Sequence, residues 1–284
     1  MKIGLECIPC FVRQAFEAGS LVTRDQKIRE RILREVLSKL TDQSFDRTPP
    51  SVGRDIHRIV TLLSGDIDPY LEIKKRSNEL ARRLMPSLKE LVRGSADPFE
   101  TAVRLAIAGN IIDYGQGDRV GEDKVKRTVF QCLDQPVNRD TVNELREEIG
   151  KASRILYLGD NAGEIFFDRL LIEELKGYPI TFVVRGAPII NDALKEDARI
   201  AGLDSLVEVV DNGSDVPGTI LEECSDEFQR QFTEADLVIA KGQGNYETLS
   251  DEQKRAFFLL KVKCPVIAED MGCEEGDMVI VRRG

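Results

Sequence analysis

Asp160-Asn161 sets a carboxylate beside an amide carbonyl, the oxygen donors that Mg2+ and Mn2+ prefer. The pair follows Arg154-Ile155-Leu156-Tyr157-Leu158-Gly159, a short, mostly apolar run that suits a buried strand. That run breaks into Asp160-Asn161-Ala162-Gly163-Glu164, and a helical pattern begins at Ile165. Ligands bind at this kind of strand-to-helix junction in open α/β sheets. The N–H groups opening the helix at Ala162-Gly163-Glu164 would face an anion held by a metal there. A metal beside an anion seat suggests phosphate chemistry. The competing reading is that Asp160 or Asn161 merely caps the helix.

The elements that would carry such a site change character near Gly150. Residues 1–150 are predicted to form an N-terminal helical domain. Ile28, Ile32, Leu33, Val36, Leu37 and Leu40 step along one helix face, and Leu71-Ile73-Leu80-Leu84 does so in a second helix starting after Asp68-Pro69. A third helical run, Phe99 to Ile111, follows Asp97-Pro98. Thr48-Pro49-Pro50-Ser51 reads as a linker or turn, and Tyr114 to Gly121, with three glycines, as a loop.

Residues 151–284 alternate strands with helices. Strands are expected at Ile155–Leu158, Ile180–Val184, Val207–Val210, Leu237–Ala240 and Val266–Ala268, with an edge strand at Met278–Val281. Helices are expected around Ile165–Lys176, Ile189–Ala201, Thr219–Phe232 and Glu252–Lys261. The pattern implies a mostly parallel, doubly wound sheet, a Rossmann-like three-layer α/β/α domain beside the all-helical one.

In a parallel sheet the residues after each strand converge on one edge. Here those residues are Gly159-Asp160-Asn161, then Arg185-Gly186 followed by Asn191-Asp192, then Asp211-Asn212, then Lys241 to Glu247, and finally Glu269-Asp270. Asp160, Asn161 and Asp192 would supply three oxygen ligands and leave positions open for water and substrate. Lys241, in a glycine-rich turn, would clamp the phosphate; Arg185 would act likewise or simply pair with a carboxylate. Gly242-Gln243-Gly244 belongs neither to a P-loop nor to a dinucleotide fingerprint, which weakens kinase and NAD(P) readings.

A formal net charge of -10 argues against a nucleic-acid surface, and no apolar stretch reaches the length of a membrane span. Met1-Lys2-Ile3 leads into Glu6 and two cysteines with no apolar signal core, so a cytoplasmic location is expected. The six cysteines should mostly be free thiols. Cys7-Ile8-Pro9-Cys10 is half of a zinc site at most, and it opens a helical region rather than following a strand. The single histidine, His57, is expected to be a solvated or capping residue.

Gly-Asp-Asn-Ala-Gly-Glu (159–164), Arg-Gly-Ala-Pro-Ile-Ile-Asn-Asp (185–192) and Lys-Gly-Gln-Gly-Asn-Tyr-Glu (241–247) resemble, in order and spacing, the three signature segments of the DUF89 family. Cys7-Ile8-Pro9-Cys10, Asp68-Pro69-Tyr70 with Lys74 and Asn78, and Gly109-Asn110-Ile111-Ile112-Asp113 are similar to its prokaryotic and archaeal branch, so the resemblance covers the whole chain. It implies a helical domain on a Rossmann-like one, a metal-dependent, damage-control-type phosphatase, and metal ligation at Asp160, Asn161 and Asp192. The family also contains acidic residue methyltransferase 1.

The resulting expectation is hydrolysis of a small phosphorylated metabolite, a sugar phosphate or similar, with Mn2+, Mg2+, Co2+ or Ni2+ as cofactor. Asp160, Asn161, Asp192 and Lys241 would be catalytic, and Arg185, Asn245, Glu164, Asn110 and Asp113 would bind substrate. Water at the metal is the preferred nucleophile, with direct attack by Asp160 as the alternative. Asn110 and Asp113, joined by Lys74 and Asn78, would roof the cleft and choose the leaving group, or else serve ordinary interdomain hydrogen bonding. Two other readings are an S-adenosylmethionine-dependent carboxyl methyltransferase and a non-enzymatic Cys-x-x-Cys redox or metal-binding module. The first is disfavoured because the first strand turn is not glycine-rich.

Overall fold

The computed structural model describes residues 1–112 and 122–284. Seven helices precede the first strand among the described residues: α1 (Cys7–Val22), α2 (Gln26–Thr41), α3 (Pro49–Ser64), α4 (Leu71–Gly94), α5 (Pro98–Ala108), α6 (Glu122–Leu133) and α7 (Arg139–Lys151). Strands and helices then alternate as β1 (Ile155–Leu158), α8 (Glu164–Glu174), β2 (Ile180–Val184), α9 (Lys195–Ala201), β3 (Glu208–Asp211), α10 (Asp226–Glu234), β4 (Leu237–Lys241), α11 (Gly242–Leu249), β5 (Ala256–Lys261), α12 (Pro265–Met271) and β6 (Met278–Arg283).

The strands form one sheet in the order β3-β2-β1-β4-β5-β6, parallel except for β6, which pairs antiparallel with β5. The chain reverses its direction of travel across the sheet between β1 and β4. The helices that follow those two strands, α8 and α11, therefore pack on opposite faces of the sheet, the kind of switch point at which open α/β sheets bind ligands.

Side-chain alternation along the strands divides the core. Ile155, Tyr157, Phe182, Ile239, Phe257 and Leu259 face a layer built from α4, α5, α7, α8 and α9. Leu156, Leu158, Val183, Val238, Ala240 and Phe258 face Phe228, Phe232, Tyr246, Leu249 and Ile267 of α10, α11 and α12. The first layer draws Leu80, Leu84, Leu105 and Leu145 from before residue 150 into the same cluster as the strands. Among the described residues only α1, α2 and α3 keep small clusters of their own, around Phe11, Ala15, Val36 and Ile56 and around Ala18, Ile32 and Val60.

Several elements differ from the sequence expectation. Glu252–Lys261, expected as a helix, contains β5 instead, because Ala256-Phe257-Phe258-Leu259-Leu260 is buried on both faces and a continuous apolar run carries no period to tell strand from helix. Val266–Ala268, expected as a strand, lies in α12, which Pro265 starts at its first turn. Glu269-Asp270, expected as a strand end of the site edge, therefore lies inside α12. Helix α9 begins only at Lys195, and the stretch expected to be helical from Thr219 holds a short 3-10 turn (Leu221–Glu223) before α10. Pro49-Pro50 is the first turn of α3 rather than a linker.

Candidate active site

Asp160 and Asn161 leave β1 and are zipped onto the segment that follows β2. Asn161 and Asp192 form an isolated antiparallel bridge, Ala193 N donates to the Asp160 carbonyl at 2.8 Å, and Ala162 N donates to the Asn191 carbonyl at 2.9 Å. Two loops far apart in sequence thus deliver Asp160, Asn161 and Asp192 to one place. Ile190 holds a φ of 43°, a region a β-branched residue seldom enters, just before that bridge.

Neither Asp160 nor Asn161 caps α8. Gly163 occupies the cap position at φ 80°, and its N–H donates at 2.7 Å to Asn78 Oδ1 on α4. A Cβ on Gly163 would stand 2.8 Å from Ser77 Cβ, so glycine is required by conformation and by space. The N–H groups of Ala162 and Gly163, two of the three expected to seat an anion, are thereby occupied by protein partners. The start of α11, the other helix that opens at this point of the sheet edge, also has no side-chain cap. Its first residue, Gly242, has φ 76°, and a Cβ there would lie 1.9 Å from Asp160 Oδ2.

Asn161 Nδ2 donates to Asp160 Oδ2 at 2.7 Å and to Glu164 Oε2 at 2.9 Å. Asn110, from the 3-10 turn after α5, donates through Nδ2 to the same two oxygens at 3.3 and 2.9 Å. The other Glu164 oxygen accepts from Lys241 Nζ at 2.7 Å. Lys241 ends β4 rather than lying in a glycine turn, and it is fully buried. Its remaining hydrogen bonds go to Asp168 Oδ1 and the Ala106 carbonyl, each at 2.7 Å. Three acceptors use all the donors of an ammonium. Tyr157 OH donates to Asp168 Oδ1 at 2.9 Å, closing a polar chain below the sheet edge.

Arg185 takes the carboxylate-pairing role: Nε donates to Asp192 Oδ2 at 2.7 Å, and Nη2 lies 3.9 Å from Asp160 Oδ1. Its Nη1 reaches Thr219 Oγ1 and its Nη2 reaches Asn245 Oδ1, both at 3.4 Å. Asn245 in turn donates to the carbonyls of Gly159 and Lys241, tying the ends of β1 and β4 together.

Charge does not balance in this pocket. Among buried groups, Asp160, Glu164, Asp168 and Asp192 face Lys241 and Arg185, two more carboxyl groups than cations, and the exposed Lys263 also acts on Asp160. Burial first, then Glu164 and Asp192, push the Asp160 carboxyl well above the usual carboxylate range. Burial and Glu164 likewise lift Asp168 to about 6 against the opposing pull of Lys241. Burial works against the Lys241 charge, but Asp168 and Glu164 outweigh it and raise its pKa. A divalent cation would neutralise the excess. Asp160, Asn161 and Asp192 offer it two carboxylates and an amide, the hard donor set that suits such an ion. Among the described residues no three His, Cys, Asp or Glu side chains enclose a metal position by themselves.

Asp113 lies outside the described residues, whereas Asn110, expected as a roof residue, donates to Asp160, one of the expected metal ligands. His57 is neither solvated nor a cap: it is buried on α3, edge-on to Tyr70 with ring centroids 5.5 Å apart, and burial lowers its pKa to about 4. Cys7 and Cys10 are free thiols at the start of α1, and burial raises the Cys7 pKa. The sequence reading missed Asp168, Tyr157 and Thr219. Asp168 had a signal, a second carboxylate four residues after Glu164 on a helix otherwise buried through Ile165, Phe166, Phe167, Leu171 and Ile172.

Comparison with known proteins converges on one family. The model of the damage-control phosphatase ARMT1-like domain matches residues 3–279. A damage-control phosphatase of Archaeoglobus fulgidus is 41% identical over 286 residues, covering 98% of both chains. One of Pyrococcus horikoshii is 36% identical, covering 99% of this chain and 98% of that one. The crystal structure of a DUF89 family protein from Pyrococcus horikoshii superposes with a TM-score of 0.91 at 35% identity over the full length of both chains.

Proposed function

Because the chain belongs to the damage-control phosphatase ARMT1-like family, the DUF89 family, and is a phosphatase, we propose that its reaction takes place on the cluster of Asp160, Asn161, Asp192 and Arg185 at the switch between β1 and β4. A divalent metal, Mn2+, Mg2+, Co2+ or Ni2+, would be held by Asp160, Asn161 and Asp192 and would supply Lewis-acid neutralisation of phosphoryl charge. The observation that carries this reading is the buried excess of carboxylate over cation at that one point of the sheet edge.

The remaining roles belong to the chain itself. Asn110 and Asn161 share the oxygens of Asp160 and Glu164 and so fix the carboxylate of Asp160. Lys241 anchors Glu164 from below, with Asp168 as its second counter-ion, so it positions the site instead of clamping phosphate. Phosphate oxygens would be met by Arg185 and by the N–H groups of the first turn of α11, next to Asp160. Asn245 holds Arg185 toward that turn. The substrate is a small phosphorylated metabolite, and a cytoplasmic location fits the six free thiols.

Hydrolysis of p-nitrophenyl phosphate tests the proposal. Activity should vanish with chelator, return with Mn2+, Mg2+, Co2+ or Ni2+, and be absent from Asp192→Asn at every metal concentration. Undiminished turnover by that variant would place the chemistry elsewhere.

A further inference from the structure

The buried guanidinium of Arg185 is held tightly at one nitrogen and loosely at the other two. Nε donates to Asp192 Oδ2 at 2.7 Å, whereas the bonds from Nη1 to Thr219 Oγ1 and from Nη2 to Asn245 Oδ1 are each 3.4 Å, near the outer limit of hydrogen bonding. Asp160 Oδ1 lies 3.9 Å from the same Nη2. A guanidinium and a carboxylate buried side by side ordinarily close to a direct bond of about 2.7–2.9 Å. Here they stay apart, and the long bonds to Thr219 and Asn245 are those of a group drawn from both sides.

The restraining side is firmly built. Thr219 is 0% exposed, and its N–H donates to Thr248 Oγ1 on α11 at 2.9 Å. Gly218 lets the chain come this close to α11: it holds φ 145°, and a Cβ there would stand 2.5 Å from the Gly244 carbonyl oxygen. The Thr219 hydroxyl donates to Asn245 Oδ1 at 2.8 Å. Its one hydrogen is used there, so the oxygen meets Arg185 Nη1 as an acceptor. Asn245 is anchored in turn, since its Nδ2 donates to the Gly159 and Lys241 carbonyls at 3.3 and 2.8 Å.

We propose that Thr219 is a positioning residue for the metal site: with Asn245 it holds Arg185 back from Asp160, so that the Asp160 carboxylate stays open to a divalent cation. This rests on the reading of Asp160, Asn161 and Asp192 as the metal ligands. Without the hydroxyl, Nη1 loses its acceptor and Asn245 Oδ1 loses a donor, and Asn245 alone opposes the pull of Asp160. Arg185 then spans Asp160 and Asp192, the two carboxylates that the cation needs. Competition of this kind weakens metal binding although no ligand has changed, and residues behind metal ligands commonly matter by about 10–100-fold.

Calorimetric titration of the metal-free protein with MnCl2 tests this. Thr219→Val, which keeps the volume and removes the hydroxyl, should weaken Mn2+ binding by about tenfold or more, and Thr219→Ala should do the same. Thr219→Ser keeps the hydroxyl and should stay within about threefold of wild type, even as loss of the buried methyl lowers its Tm. Affinity should follow the hydroxyl and not the melting temperature, which a merely structural threonine would not produce. In a crystal structure of metal-free Thr219→Val, Arg185 Nη2 and Asp160 Oδ1 should be in direct contact, below about 3.2 Å. Wild-type affinity in Thr219→Val, or a loss of about tenfold in Thr219→Ser, overturns the proposal. Should wild type itself take up no Mn2+, the metal reading fails instead. The crystal structure then decides for Thr219, and a separation of Arg185 from Asp160 unchanged at 3.9 Å refutes its role.

Discussion

Replacing Lys241 with methionine separates the two roles an ammonium could play at this edge. Lys241 is fully buried, with 2.7 Å bonds to Glu164, Asp168 and the Ala106 carbonyl. Methionine preserves most of its volume but leaves two carboxylates without their counter-ion, although Tyr157 still donates to Asp168 and Asn161 and Asn110 to Glu164. Breaking a buried ion pair from one side costs about 3–5 kcal/mol. For 284 residues the unfolding entropy near the midpoint is about 0.6 kcal/mol/K, so Tm should fall by about 5–8 °C. Glu164 would then lose its anchor, and kcat should fall by about 100-fold or more as Asn161 and Asn110 drift from Asp160. Differential scanning calorimetry and p-nitrophenyl phosphate turnover provide the two readings. The double variant Asp168→Asn/Lys241→Met should lose less stability than the sum of the single changes, because it removes a carboxylate along with its partner. An unaltered Tm in Lys241→Met, combined with a raised KM for phosphate esters, would refute this account and restore Lys241 as a phosphate clamp.

Three further outcomes follow from the same geometry. Asp160→Asn removes a carboxylate that burial, Glu164 and Asp192 all disfavour, so the metal-free protein should melt higher while Mn2+ binding by calorimetry is lost; Asp192→Asn, which strips Arg185 of its 2.7 Å partner, should melt lower, and equal shifts would contradict the charge tally. Gly242→Ala should abolish Mn2+ binding, since its Cβ would overlap Asp160 Oδ2 at 1.9 Å in a φ region that alanine avoids, and retained binding would show that the first turn of α11 yields. His57 has a folded pKa of about 4 against an ordinary 6.5, so the unfolded chain binds the extra proton between those values; stability should therefore drop as pH falls from 6.5 to 4, by up to about 3 kcal/mol, and His57→Gln should flatten that part of the curve.

What could be read from sequence, and what could not, divides along a physical line. A strand end is announced by chemistry: Asp160-Asn161 interrupts an apolar run, and a parallel sheet sends such interruptions to a common edge whatever covers its faces. Strand β5 and helix α12 were exchanged because Ala256-Phe257-Phe258-Leu259-Leu260 is covered on both faces, and a run without polar positions has no period to read. His57 was misplaced for the opposite reason, since its polar neighbours Arg54, Asp55 and Arg58 suggested a wet helix face. In the structure those residues pair with Glu223, Arg47 and Asp215 and leave the histidine beneath them. Lys241 shows why a residue type cannot fix a role. A lysine followed by a glycine-rich turn gives no sign of its counter-ions, and these, Glu164 and Asp168, sit one turn apart on α8 about seventy residues earlier. Only the pairing of β1 with β4 brings them under it, through a register that sets Leu158 beside Ala240 and so carries the next residue, Lys241, to the edge where α8 begins.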